Sequence, residues 1–230
     1  MPNLPRPIQR FYPILDAEFA GSRLLQIAAS LADAGVELLQ IRDKSGSSRR
    51  LHSTCLELLN LFRARSNKKV RLIVNDRADL AALSGAAGVH LGQEDISVDA
   101  ARAVLNASRE VGPEFPAKKL IGLSTHNLPQ LRAALRTSAD YLAIGPIFST
   151  GSKKNPDPVV GLDFIARARR LTRKPLVAIG GITLENVKSV WRAGADSVAV
   201  ISDVLSAHDP AARAAQYLKL AAEFAALSAG

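Results

Sequence analysis

The sequence predicts a single-domain α/β fold, a closed (β/α)8 barrel, on three observations. Short β-rich runs alternate with helix-period segments eight times within 230 residues. Ala-Gly pairs recur where a helix gives way to a strand, at Ala34-Gly35-Val36, Ala87-Gly88-Val89 and Ala193-Gly194-Ala195-Asp196, which puts Gly at the expected helix C-caps. Polar residues capable of chemistry follow nearly all of the β-rich runs. An open, doubly wound sheet is the structural alternative, but it would usually have fewer strands and has no need of polar residues after nearly every one.

The β-rich runs are residues 11–15, 36–41, 70–75, 88–91, 120–123, 141–145, 176–180 and 197–201. The helix-period segments are residues 20–34, 49–65, 78–83, 98–107, 128–137, 162–171, 184–193 and 211–227. Composition agrees with this order of elements. The chain is 47% hydrophobic and only 5% aromatic, rich in Ala, Leu, Val and Ile, which suits helices on a buried parallel sheet better than a β-sandwich. The expected organisation is a Pro-rich arm over 1–10 and one TIM-type barrel over 11–230. The loop at 111–119 belongs on the bottom face of such a barrel, away from chemistry.

The single cysteine, Cys55, rules out an internal disulfide. It shares a helix-period stripe with Leu51, Leu58, Leu59 and Phe62 and is expected to be a small core residue. No stretch is long and apolar enough to span a bilayer and the N-terminus lacks a signal-peptide core, so a cytoplasmic protein is expected. The net charge of +9 gathers in residues 63–71 and 167–174. Each cluster ends a helical segment, where cations complement the helix dipole, so solvated helix ends are expected. Without interleaved aromatics these clusters do not describe a nucleic-acid platform.

In a barrel, functional residues lie just after the strands. Gln40, Arg42 and Lys44 share a face, because alternate strand residues do. Asn75-Asp76 and Gly92-Gln93-Glu94-Asp95 follow the next two runs, then Ser124-Thr125-His126, a polar loop over 145–156, Gly180-Gly181-Ile182-Thr183, and Ile201-Ser202. Two cations with two carboxylates point to a polyphosphate held partly through Mg²⁺. Asp76 and Asp95 could instead be helix N-caps. Gly181 and the residues after the eighth run suit a phosphate held by backbone N–H groups. The loop with Thr150, Gly151, Ser152 and Lys153 suits a lid over anions. His90 is expected to fill or orient the barrel interior, whereas His126 faces the active end and could act as an acid–base group.

These residues resemble the thiamine phosphate synthase family from about residue 11 to about residue 205. The motifs are Gln-x-Arg-x-Lys, Asn-Asp, His-Leu-Gly-Gln-x-Asp, Gly-x-Ser-x-His, Gly-Pro-Ile-Phe with a Thr/Ser-Lys loop, and Ile-Gly-Gly-Ile. The resemblance implies a transferase joining 4-amino-2-methyl-5-(diphosphooxymethyl)pyrimidine to a thiazole phosphate with release of pyrophosphate. It implies substrate contacts over Gln40, Ile41, Arg42, Asp43 and Lys44. Gln40 would meet the aminopyrimidine, and Ser124 would sit beside it. Arg42, Lys44, Asn75 and Lys153 would hold the diphosphate, with Asp76 and Asp95 on Mg²⁺. Thr150, Gly151, Ser152, Gly181, Ile201 and Ser202 would bind the thiazole phosphate. Arg42, Lys44, Lys153 and Ser124 would be catalytic. The family's Pro-Thr-x-Thr-Lys loop reads Ser149-Thr150-Gly151-Ser152-Lys153 here, which keeps the hydroxyls and loses the proline. A thiazole tautomerase of the same fold would not need the diphosphate grip, and a silent phosphate sensor would have lost a cation or carboxylate. Small-molecule partners are expected, and self-association is left open.

If Lys153 neutralises the departing diphosphate, Lys153→Ala lowers kcat by on the order of 10²-fold or more in steady-state assays. A near-wild-type kcat would refute that role.

Overall fold

The computed structural model describes residues 8–65, 70–107, 118–151 and 157–229, with side chains described as far as residue 227. The strands are β1 (Phe11–Asp16), β2 (Leu38–Arg42), β3 (Arg71–Asn75), β4 (Gly88–Leu91), β5 (Leu120–Thr125), β6 (Tyr141–Ile144), β7 (Leu176–Ile179) and β8 (Ser197–Val200). They are parallel and close in chain order, β8 returning to β1 with Tyr12 beside Ala199. The expected barrel is therefore the observed one.

Around it lie α1 (Ala17–Ala20), α2 (Leu24–Asp33), α3 (Ser48–Ala64), α4 (Ala78–Ser84) and α5 (Val98–Ala107). They are followed by α6 (Leu128–Leu135), α7 (Gly161–Leu171), α8 (Val187–Arg192), α9 (Ser202–Leu205) and α10 (Pro210–Ala229). The helix expected over 20–34 is broken. Asp16 caps α1 by accepting from the Phe19 N–H at 3.1 Å, and a 3₁₀ turn at Gly21–Arg23 precedes α2. The short α9, not anticipated, turns the chain immediately after β8.

Strand alternation sorts the apolar residues into two cores. Leu15, Leu39, Ile41, Leu72, Val74, Val89, Leu91 and Ile121 face outward and pack with the helices, together with Cys55, which is fully buried as expected. Burial pushes the Cys55 thiol up to about 12, so it is inert packing. Each such aliphatic side chain contributes roughly 1.5–3 kcal/mol on burial. Tyr12, Ile14, Leu38, Ile73, Leu120, Tyr141, Ala143, Val177 and Ala199 face inward and fill the barrel. Tyr217 of α10 stacks on Phe11 at 4.6 Å and ties the last helix to the first strand.

The bottom face corrects three expectations. Of the arm expected over 1–10, residues 1–7 lie outside the described residues, while the rest is tied down. Ile8 is buried, Gln9 donates to the Gly35 carbonyl (3.0 Å) and accepts from the Glu37 N–H (2.8 Å), and the Ser197 hydroxyl donates to the Gln9 carbonyl (2.6 Å). The second basic cluster is not simply solvated. Arg169 donates to the Thr172 and Lys174 carbonyls and to Asp196, and Lys174 donates to the Thr137 and Ala139 carbonyls. These cations cap carbonyls where chain turns under the barrel. Residues 66–69 of the first cluster lie outside the described residues, as do residues 111–117 of the expected bottom loop. Finally, Gly88 is not a C-cap: it is the first residue of β4, and α4 ends instead at Gly85, in left-handed backbone.

Gly122 of β5 shows what the interior requires. A Cβ there would overlap the Tyr141 ring and the His90 Nδ1. Gly122→Ala is therefore expected to lower the unfolding free energy by about 1–3 kcal/mol, as overpacking of a filled core does. Urea denaturation measures it; an unchanged midpoint would mean the two rings can yield.

Candidate active site

The C-terminal ends of the strands surround an open cavity of about 660 Å³. Its floor is made by the inner face of the barrel and its rim by the loops that follow each strand. Of the residues expected to act there, Gln40, Arg42, Lys44, Asn75, Asp76, Asp95, Ser124, Thr150, Gly181, Ile201 and Ser202 all line it. Ser152 and Lys153 lie outside the described residues.

Three neighbours in sequence are placed elsewhere. Ile41 is fully buried in the outer core, since it alternates with Gln40 and Arg42 and so faces the helices. Asp43 turns its carboxylate back into its own loop, accepting from the Ser45 and Gly46 N–H groups at 3.1 and 2.7 Å. Its side chain holds the turn that leads into α3. Gly151 is exposed and is not part of the lining.

The rim from β1 to β4 carries two opposite-sign pairs. Arg42 pairs with Asp16, and Lys44 with Asp76. Asp95 faces Asp76 within hydrogen-bonding reach, and its carboxyl is held above the ordinary range, chiefly by burial and then by the Asp76 carboxyl. The Gly92 N–H, donating to Asp95 at 2.6 Å, opposes that rise. Neither carboxylate caps a helix. The N-cap position of α4 is Arg77, and α5 is capped by Ser97, whose hydroxyl accepts from the Ala100 N–H at 3.1 Å. Asp76 adopts φ +63°, and its N–H donates to the His90 carbonyl at 2.7 Å. Left-handed backbone at a non-glycine costs about 1–2 kcal/mol, a strain that here aims a carboxylate into the cavity.

Two facing carboxylates in a partly buried rim, with one repelling the other, have the donor chemistry of a hard dication. Among the described residues no group of three or more His, Cys, Asp or Glu could hold a metal alone, so such a cation would take its other ligands from substrate or water.

On the floor, Gln40 donates from Nε2 to the Tyr12 hydroxyl at 2.9 Å. The Tyr12 and Tyr141 hydroxyls lie 3.1 Å apart, Tyr141 lies 3.1 Å from His90 Nδ1, and His90 Nε2 lies 2.9 Å from the Ser124 hydroxyl. On the far rim, Gly181 has φ +63°, and a Cβ would collide with the Ser149 carbonyl and lie 2.7 Å from Phe148. Asn186 donates to the Gly181 carbonyl at 2.9 Å and accepts from the Thr183 N–H at 2.9 Å, which fixes this turn. Beyond the neighbouring strand, Asp203 of α9 accepts from Arg213 (2.7 Å) and from Tyr217 (2.8 Å), both on α10.

His90 sits in the barrel interior as expected and also lines the cavity, whereas sequence reading missed Asp16, Gln130 and Asp157. Asp16 carried a usable signal, since it is the polar residue that ends the first strand. The partners of His90, on β5 and β6, carried none. His126 lines the cavity, but its Nδ1 sits 2.7 Å from the Gly145 carbonyl, so that nitrogen carries the proton and holds the ring in place.

The family model described as thiamine monophosphate synthase matches residues 11–204. The chain is 50% identical to the thiamine-phosphate synthase of Koribacter versatilis over 218 residues, covering 93% of this chain and 96% of that one. It is 39% identical to that of Chloroflexus aurantiacus, over 90% of each chain. Among solved structures, thiamine phosphate pyrophosphorylase from Pyrococcus furiosus superposes with a TM-score of 0.79 at 28% identity, covering 95% of this chain and 98% of that one.

Asp16 has two separable duties, capping α1 and pairing with Arg42. Asp16→Asn keeps the cap and Asp16→Ala loses it, so alanine is expected to cost about 1 kcal/mol more in chemical denaturation. Equal losses would mean that the cap contributes nothing.

Proposed function

The chain belongs to the thiamine monophosphate synthase family and makes thiamine phosphate from the pyrimidine diphosphate and the thiazole phosphate, and from that premise we propose how its own residues do so. The observation that carries the reading is the pairing of two surfaces in one cavity: a hydrogen-bonding floor at Gln40 and Ser124, and a charged rim at Arg42, Lys44, Asp76 and Asp95. The floor has the size and polarity for a heterocycle, and the rim has the charges for a diphosphate.

In this reading Gln40 and Ser124 hold the aminopyrimidine, while Arg42, Lys44, Asn75 and Lys153 hold its diphosphate. Asp76 and Asp95 hold Mg²⁺, which when bound supplies charge neutralisation to the leaving pyrophosphate. Arg42 and Lys44 stabilise the same developing charge as the C–O bond breaks. The electron-rich pyrimidine carries the positive charge left at its methylene carbon, and the thiazole nitrogen captures it. Thr150, Gly181, Ile201 and Ser202 position the thiazole phosphate so that this nitrogen faces the methylene carbon. No protein nucleophile is required.

The resting rim supports this division of labour. Asp16 and Asp76 hold the two cations that the diphosphate would engage. Asp76, now paired with Lys44, and Asp95 would hold the dication, and Lys44 lies where it can engage the phosphate. The reading extends to a cytoplasmic enzyme acting on two small molecules. Among the described residues no helix is long and apolar enough to cross a membrane.

The test is product formation from the two heterocyclic phosphates with and without Mg²⁺. EDTA is expected to abolish it. Asp76→Asn, which left-handed backbone tolerates, and Asp95→Asn are each expected to raise the Mg²⁺ concentration for half-maximal rate by about tenfold or more, about 1.4 kcal/mol of cation binding. An unchanged Mg²⁺ dependence in both variants would remove these residues from the metal.

A further inference from the structure

We propose that the buried run Gln40–Tyr12–Tyr141–His90–Ser124 is a polarity relay, in which Tyr12, Tyr141 and His90 act as positioning residues that fix which hydrogen-bonding group each end presents to the pyrimidine. The proposal rests on the reading that the cavity binds the aminopyrimidine diphosphate, and it assigns the specificity of that site to residues buried beneath it.

The physical basis is proton counting. A phenol has one proton to donate, and a neutral imidazole has one N–H. Gln40 Nε2 donates to the Tyr12 oxygen. Tyr12 then gives its proton to the Tyr141 oxygen, 3.1 Å away, and Tyr141 gives its own to His90 Nδ1, also 3.1 Å away. With Nδ1 accepting, the neutral ring carries its proton on Nε2, which donates to the Ser124 oxygen at 2.9 Å. The Ser124 proton is left for the cavity, and so are the Gln40 carbonyl and the second Gln40 Nε2 hydrogen. Each link has a donor on one side and an acceptor on the other.

Reversal at one end forces reversal along the whole run. A Gln40 carbonyl turned to Tyr12 would take that phenol's proton. Tyr12 would accept from Tyr141, Tyr141 would accept from His90 Nδ1–H, and the bare Nε2 would take the Ser124 proton. The cavity would then see an amide N–H at Gln40 and an acceptor at Ser124. The two ends are thus complementary by construction. In the observed sense, an acceptor at Gln40 and a donor at Ser124 match an amino group beside a ring nitrogen. In the reversed sense they match an oxo group beside a ring N–H. Burial holds the run together: both tyrosines are almost fully enclosed, so an unpaired hydroxyl there would be costly. Burial also keeps both phenols neutral, since it raises them well above their ordinary range.

Two measurements test it. The first is on the protein alone: ¹⁵N chemical shifts of the imidazole nitrogens, with His90 assigned by loss of its signals in His90→Gln. The expected result is a single Nε2–H tautomer in the wild type and a tautomer mixture in Tyr141→Phe, where Nδ1 has lost its donor. A wild-type Nδ1–H tautomer overturns the relay whatever the activity. The second is the ratio of kcat/KM for the 4-amino pyrimidine diphosphate to that for its 4-oxo analogue. Tyr12→Phe and Tyr141→Phe keep the ring packing. Each is expected to reduce this ratio and to raise KM for the pyrimidine diphosphate by about tenfold, the worth of one buried hydrogen bond. KM for the thiazole phosphate should be unchanged, a split that a general loss of structure would not produce. An unchanged ratio in both variants, with both folded, overturns the proposal. The expected tautomer in an enzyme that turns over neither pyrimidine would leave the relay standing and sink the reading of the site on which its specificity role depends.

Discussion

The contact on which the rest depends is the meeting of the Tyr12 and Tyr141 hydroxyls inside the barrel. The two strands that carry them, β1 and β6, are not neighbours in the closed sheet. Each ring extends inward, and they meet edge to face with centroids 6.1 Å apart. Two phenols buried together satisfy each other and exclude water at once, which aliphatic side chains of that length could not do. Other features follow from their bulk. Gly122 must lack a side chain so that Tyr141 and His90 can approach β5. Ala143 and Ala199 stay small beside them in the inner core. The floor of the cavity lies where these rings end, and Gln40 and Ser124 are the polar groups that stand above it.

The rim follows a different rule. Charges there come in two opposite-sign pairs, Asp16 with Arg42 and Lys44 with Asp76, and Asp95 meets Asp76 as a like-charged neighbour. Each pairing keeps a cation ordered without a ligand. The like-charged pair is the exception, and it gathers the features an ordinary surface would avoid: a carboxyl raised by burial and left-handed backbone at Asp76. Local strain with like charge is costly in a resting protein unless something binds there. The net charge of +9 does not contradict this focus, because a good part of the basic residues are occupied by carbonyls and carboxylates beneath the barrel, as at Arg102, Arg169 and Lys174.

The barrel and most of the rim were legible in the sequence because both rest on local patterns. Period-two and helical spacing define strand and helix, and position after a strand defines the rim. What was not legible depends on meetings between distant residues. Nothing in the neighbourhood of His90 announces that Tyr141 and Ser124 will grip its two nitrogens. Asp43 looked like a ligand and proved to hold its own turn, since an Asp can satisfy backbone two or three residues on as readily as it can face a cavity. Ile41 shared a motif with its neighbours but not a face. The short α9 was missed because four residues are too few to show a helical period, and it is held by Asp203 contacts to Arg213 and Tyr217 that lie ten and fourteen residues on.

The Ser124–His90 pair invites a different reading, that of a nucleophile and its base. The geometry at 2.9 Å would allow it, but the chemistry beyond it does not. A serine nucleophile needs an imidazole whose far nitrogen donates to an acidic group, so that the near nitrogen is free to take the serine proton and the resulting cation is stabilised. Here the far nitrogen meets a phenol that burial holds neutral. That phenol is itself joined to a second neutral phenol and then to an amide, so the far nitrogen is hydrogen-bonded into a run of neutral groups. In the polarity set by Gln40, His90 donates to Ser124, which is the opposite of activation. In the proposed reading, the same two residues that would make a hydrolase in another setting hold a heterocycle still. That reading leaves the driving force for bond breaking to the charged rim above.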